Sequence, residues 1–498
     1  MIIMRTQFRK LNPSPIIAST ILVFLAVPWR TSLYKKPFIE DSWYSLNIAR
    51  NISEGLGITI DGTQITNGFQ PLQVLLDSLI FKFTNSNNSA ITVIFVIRLL
   101  LHIISAIIFK DLVRTLTSNK KTRAFYEFAF ISYMFNPAIL HVAVNGLETG
   151  LALLLLLTLV RYATLQATGE SGRYWIIKTI LVATALIYAR IDMLVIVVFV
   201  LVWIYIVCGS KTALQVGSST ALFVTPWFFW SYLKFGSVIP ISGQQQQDPE
   251  LSFFRVAHLF KATTFNISPW LGSFYDQSGF INESFFFVLR MICLTFIITI
   301  ILRSQQRLRV KNFVQGKHGV SFAILAGLSV LSIYYCIATF ATWFYPRYTI
   351  YFAPITLLIF LSLVGNVTRK EILFSLIAIF CSVCVFFTSY HSSRFENALY
   401  DNQVELAIKT VPQSEFLGAR QSGTLGFHRA KSINLDGKVN PQAPRDIDAM
   451  NEYLLEQKIE WLCDWPSELD KIIGTRKSDW EVVSQNATVT CLKRKESN

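Results

Sequence analysis

The sequence predicts an α-helical polytopic membrane protein of about eleven transmembrane helices with a small extracytoplasmic α/β domain at its C-terminus. Three observations predict it. Apolar residues make up 52% of the chain against 15% charged, and mean hydropathy is +0.44. Apolar runs of span length recur as far as residue 390, separated by short polar connections. Residues 391–498 are then polar, near charge balance and without a span. The formal charge of +14 sits in short segments between apolar runs, so it reads as membrane orientation and not as a nucleic-acid surface. No Walker loop, Gly-x-Ser-x-Gly elbow or His-Glu-x-x-His is present, which argues against an ATPase, a serine hydrolase or a zinc protease.

Taken in order, Arg5, Arg9 and Lys10 precede an apolar run over residues 15–29 that reads as a signal anchor. The loop over residues 31–89 has structure of its own. Trp43, Leu46, Ala49, Ile52 and Leu56 recur at helical spacing and stop at Gly55 and Gly57, which predicts an amphipathic helix along the membrane surface. Glu40 and Asp41 stand at its N-terminus, where the helix dipole favours a carboxylate. Asp61-Gly62 marks a tight hairpin, and Pro71 opens a second helix with Leu72, Leu75, Leu76, Leu79, Ile80 and Phe83 on one face. Gln70, Gln73 and Asp77 fall on the other. Further spans are expected at 90–109, 124–142, 147–166, 174–189, 192–208, 213–232, 283–302, 319–341, 348–365 and 371–390.

Every second connection is basic, which places those connections and the N-terminus in the cytoplasm. By parity, Glu40-Asp41, His141 to Thr149, Tyr188 to Asp192, the long loop Tyr232 to Asn282, Trp343 to Tyr348 and the C-terminal segment share the extracytoplasmic face of the inner membrane. These connections hold nearly all the unusual polar residues, at span ends where a charge costs less than at mid-span. Each has a bland reading: a solvated acidic loop for Glu40-Asp41, interfacial anchoring for the aromatics, an ion pair for Arg190 and Asp192. The C-terminal segment reads as short strands and helices. Gly423 and Gly426 open a helix that suits either a structural turn or a phosphate cradle. Cys463 and Cys491 are free to pair if this segment is extracytoplasmic.

Glu40-Asp41 after the first span, the Ala49 to Gly57 run, Thr66-Asn67-Gly68-Phe69-Gln70-Pro71-Leu72 and Asn145-Gly146-Leu147-Glu148-Thr149 together resemble the GT-C superfamily. These are membrane glycosyltransferases that use polyprenyl-phosphate sugars, and the likeness is to arabinofuranosyl- and mannosyltransferases. The resemblance implies a hexosyl- or pentosyltransferase with residues 1–390 as its catalytic module and residues 391–498 as a soluble extracytoplasmic domain. It implies a lipid-linked donor, and a glycan, lipid or protein acceptor. It also implies a catalytic base in the first extracytoplasmic loop, on Asp41 or Glu40, with Asp41 favoured. Transfer needs that base for the acceptor hydroxyl and positive charge beside the leaving phosphate, for which Arg347, Arg190 and Lys234 are candidates. Trp43, Tyr44 and Tyr345 are candidates for stacking on sugar, and Glu148 and Asp192 complete the expected binding set. The carboxylate pair leaves a divalent cation as an option. A transporter or lipid flippase, with Arg190, Asp192 and Glu148 lining a path, is the alternative; it calls for mid-span charges and an internal repeat, which the sequence does not display.

Overall fold

The computed structural model describes residues 17–21, 38–117, 120–267, 315–342, 345–363 and 398–495. The expected spans at 283–302 and 371–390 lie outside the described residues, as does most of the signal anchor. Among the described residues, five helices are long and apolar enough to cross a membrane: Asn87–Leu116, Thr149–Ala167, Ile191–Cys208, Gly319–Ala338 and Tyr345–Leu363. A sixth span results if Arg123–Met134 and Pro137–Val144, bent by 52°, act together. The bend has a local cause. Pro137 is pre-set for a helix start, and Asn136 caps it by accepting the Ile139 N–H at 3.1 Å. Of the other expected spans, Trp175–Ala189 is a shorter apolar helix and 213–232 falls within the Ser210–Phe235 helix, which carries Pro226.

Two first-loop elements differ from expectation. The Glu40–Ser53 helix forms where predicted, and Gly55 and Gly57 follow it with φ of +81° and +80°. It does not lie free on a membrane surface: Trp43, Leu46 and Ala49 are buried, and so are Glu40, Asn47 and Asn51 on its other sides. Membrane helices cover one side and the C-terminal unit the other, so Phe427 and Val439 of that unit join the core of the membrane module. The Pro71–Phe83 helix has the predicted two faces, but the polar one points inward. Gln73 and Asp77 are buried while Leu75, Leu79 and Phe83 are exposed, Phe83 by 84%. The buried Asp77 accepts from Arg98 of the Asn87–Leu116 span at 2.7 and 2.9 Å and from Gln73 at 2.7 Å. A carboxylate with its lone pairs engaged by a guanidinium and an amide tolerates burial, and this leaves the leucines for lipid.

The C-terminal unit is a five-stranded sheet, β1 (Leu417–Ala419), β2 (Ser432–Asn434), β3 (Trp461–Asp464), β4 (Trp480–Gln485) and β5 (Thr490–Arg494), in the order β2-β1-β3-β5-β4. β1 runs parallel to β2 and β3; β5 runs antiparallel to β3 and β4. The strands β1, β2 and β3 are buried on both faces, while the edge strand β4 is largely exposed. Met450, Leu454, Leu469 and Ile472 cover one, and Leu406, Ala407 and Leu425 cover the other. Cys463 and Cys491 face each other in the β3–β5 register and form a disulfide.

Candidate functional site

A cavity of about 450 Å³ opens between the membrane helices and the C-terminal unit. One part of its wall is apolar and comes from spans: Leu194, Val195 and Leu331. Another is polar and comes from the C-terminal unit: Gln421, Asp436 and Lys438. Between them stand Asp41, Glu148, Arg190, Asp192 and Arg347, four separate sequence segments that the fold brings into one wall.

Local structure explains how they meet. Gly146 holds φ of +89°, and a Cβ there would fall 2.7 Å from Ser42 and 2.8 Å from Phe38. Only glycine lets the Asn145–Thr149 corner approach the start of the Glu40–Ser53 helix this closely. Asn145 O accepts the Ile39 N–H at 3.2 Å, which fastens the same junction. Arg190 sits in the extended break between the Trp175–Ala189 helix and the Ile191–Met193 turn (φ −152°, ψ 116°) and lines the cavity.

The side chains form a continuous ionic chain. Arg347 donates to Asp41 Oδ2 at 3.4 Å and to Glu148 Oε1 at 2.9 Å. Arg190 donates to the same Glu148 oxygen at 3.4 Å and grips Asp192 through Nε at 3.0 Å and Nη2 at 2.5 Å. Asp192 also accepts from the Tyr335 hydroxyl at 2.5 Å, and the Tyr335 ring stacks on Tyr348 at 4.0 Å. Burial pushes the Glu148 carboxyl up, but Arg347 and Arg190 outweigh it and hold it below the ordinary carboxylate range. Asp41 is the exposed end of this chain: its side chain keeps 36% exposure, against 4% for Glu148.

Glu40 has a different environment. Its carboxylate is buried away from the cavity lining and accepts from Gly423 N at 2.6 Å, from Thr424 N at 3.1 Å and from the Thr424 hydroxyl. Burial raises its pKa to about 7 even so, with the donors opposing. Three more residues on the same helix face reach the C-terminal unit. The Tyr44 hydroxyl accepts the Ser422 N–H at 3.2 Å, Asn47 donates to Gly423 O at 2.9 Å, and Arg50 donates to Phe427 O at 2.9 Å and Gly426 O at 3.2 Å. Glu40 therefore satisfies the N–H groups at the start of the Gly423–His428 helix, and Arg50 the carbonyls at its end. The anion seated on Gly423 is the chain's own: a Cβ at Gly423 would fall 2.7 Å from Glu40 Oε1. This explains the glycine without an external phosphate.

Three further expected residues stand outside the cavity lining. Trp43 is buried in a cluster with Phe38 and Phe427, ring centroids 5.9 and 4.8 Å away, so its face is used for packing. Tyr345 is buried with its hydroxyl turned to the carbonyls of Tyr335 and Thr339, both at 3.4 Å. Lys234 is exposed near the end of the Ser210–Phe235 helix. Tyr44 does line the cavity. Sequence reasoning missed Tyr335, Gln246, Asp436 and Lys438 as wall residues. A tyrosine pair, Tyr334-Tyr335, within an apolar run was a usable signal; a turn in a distant polar segment offered none. Glu40 and Asp41 engage different partners, and among the described residues no group of three or more His, Cys, Asp or Glu side chains is placed to hold a metal ion.

No protein-family model matches the sequence, and no curated protein matches it. Solved structures do match in shape. ArnT from Cupriavidus metallidurans bound to undecaprenyl phosphate aligns with a TM-score of 0.57 at 11% identity, covering 97% of this chain and 98% of that one. The same enzyme in the apo state gives 0.58 at 11% identity, with 96% of each chain covered. The Archaeoglobus fulgidus oligosaccharyltransferase tethered with an acceptor peptide gives 0.50 at 11% identity, covering 94% of this chain and 72% of that one. At such identities the likeness is one of architecture, and it extends over nearly the whole chain: the chain shares its fold with ArnT and with the oligosaccharyltransferase.

Proposed function

We propose that the chain is an inverting glycosyltransferase that moves a sugar from a polyprenyl-phosphate donor to a hydroxyl of a cell-envelope glycan, lipid or protein. The observation that carries this reading is the position of Asp41. It is the one of the two candidate acids that lines the cavity, where apolar span residues meet a polar wall. A lipid-linked sugar needs such a junction: its chain partitions into the bilayer and its sugar does not. A further support is the shared fold with ArnT, whose structure holds undecaprenyl phosphate.

In the proposed step the acceptor hydroxyl attacks the anomeric carbon as the bond from that carbon to the phosphate oxygen breaks. The hydroxyl proton passes to an Asp41 oxygen, and the lipid phosphate departs with the bonding pair. A single displacement of this kind inverts the anomeric centre. General-base assistance contributes roughly 10² to 10⁴ in rate. Arg347 orients Asp41 while Glu148 holds Arg347 and is itself held by Arg190. The catalytic module is residues 1–390 and residues 391–498 form the extracytoplasmic unit; the disulfide between Cys463 and Cys491 supports that side of the membrane, because such bonds persist in oxidising compartments. Asp41→Asn in purified protein tests the assignment: transfer is lost while the protein still folds, and full activity in that variant overturns it.

A further inference from the structure

The ionic chain around Asp41 contains three carboxylates, Asp41, Glu148 and Asp192, and two guanidiniums, Arg190 and Arg347. With all five ionised it carries one net negative charge. Both guanidiniums already donate to carboxylates, so an entering phosphate meets a cluster that repels it at a distance and offers few free donors at contact.

Another cation lines the same cavity: Lys438, from the C-terminal unit. It is half-buried, and among the described residues no salt bridge fixes its ammonium, although the Asp436 carboxylate attracts it. Its backbone is firmly placed. Gly437 turns with φ of +73°, and Asp436, itself buried, accepts the Lys438 N–H at 2.7 Å and so tightens the turn. The Lys438 carbonyl presses against the first loop, where a Cβ on Gly68 would lie 2.5 Å from it. On its other side the turn lies against Gln245, whose carbonyl accepts from Arg445. The chain has thus fixed the Cα of a half-buried lysine, with the carboxylate of Asp436 as its charged neighbour, at a cavity that also has an apolar wall.

We propose that Lys438 is the anion contact of this cavity and that it recognises the phosphate of a lipid-linked donor. The C-terminal unit then supplies part of the donor site, and the membrane module alone is an incomplete enzyme. The proposal rests on the glycosyltransferase reading. A lysine ammonium suits the task as a compact charge that follows a phosphate through the reaction.

The test uses the full chain in phosphatidylcholine nanodiscs and compares binding of undecaprenyl phosphate with that of undecaprenol. These probes differ only in the charged group. The wild type is expected to prefer the phosphate by at least about tenfold, and Lys438→Gln to lose about tenfold of that preference with undecaprenol binding unchanged. Lys438→Arg keeps the preference. A Lys438→Gln protein that discriminates as well as the wild type overturns this proposal and leaves the glycosyltransferase reading standing. A wild-type protein with no preference for the phosphate overturns both.

Discussion

Glu40 accepts the backbone N–H of Gly423 at 2.6 Å across 383 residues of sequence, while its neighbour Asp41 contacts Arg347 at the cavity. Adjacent residues on a helix point about 100° apart, and here that angle separates a docking contact from a cavity-lining one. The first-loop helix thus carries the C-terminal unit on one face and the candidate base on the next.

The two acids are therefore expected to fail differently. Asp41→Asn lowers transfer by roughly 10² to 10⁴ and leaves the C-terminal unit in place. Glu40→Gln replaces one acceptor oxygen by an NH₂ group facing the Gly423 and Thr424 donors, so it loosens the unit. Hydrogen exchange over residues 423–428 separates them: it rises in Glu40→Gln and stays unchanged in Asp41→Asn. Unchanged exchange in Glu40→Gln refutes the docking role.

Docking also depends on pH. The Glu40 carboxyl is raised from 4.5 to about 7 by burial, so between these values the docked state holds a proton that the released state has lost. Stability of the docked unit is fully present below 4.5, falls as pH rises through about 7, and is flat above that. Asp464, buried beside Arg420 and Gln421 and also raised to about 7, has the same sign. Thermal unfolding of the C-terminal unit followed from pH 5 to 8 checks this; a midpoint that rises across that interval contradicts it.

Gly68 tests whether the C-terminal unit completes the cavity. Its backbone needs no special φ, so Gly68→Ala acts through crowding: the added Cβ would fall 2.5 Å from the Lys438 carbonyl oxygen and 3.4 Å from Val439 Cα in the C-terminal unit, and 3.3 Å from Thr66 Oγ1. We expect transfer to drop and proteolysis between the two parts to increase, with the membrane module otherwise intact. Normal activity in this variant shows that the contact is dispensable.

Asp77 and Arg98 form a pair with 1% and 2% side-chain exposure, so removing one partner strands a buried charge. Asp77→Ala is expected to destabilise the membrane module by about 3 to 5 kcal/mol, the usual range for breaking a buried pair. The double variant Asp77→Leu, Arg98→Met restores much of that loss. Denaturation in detergent measures both.

Several features were legible in the residues. Apolar runs marked the described spans, Gly55 and Gly57 ended the first helix, and the chemistry of Glu148, Arg190, Asp192 and Arg347 singled them out before they were seen to form one chain. The misreadings share a physical origin. Periodicity states that a helix has two faces and says nothing of what covers each. The Pro71–Phe83 helix turned its polar face inward because Arg98 waits there, and Trp43 went to a packed cluster because Phe427 arrives from a distant segment.

Composition, hydrophobic patterning and charge placement by themselves determined a polytopic helical protein with a polar α/β unit and a set of charged residues at span ends. Those properties depend on local sequence and on the solvent each segment prefers. Only the tertiary structure decided that Asp41 and not Glu40 reaches the cavity, that Cys463 meets Cys491, and that a turn at Lys438 completes the wall. Each of these relationships joins residues from separate elements, and its outcome depends on which surfaces exclude water together, a property that no stretch of sequence carries alone.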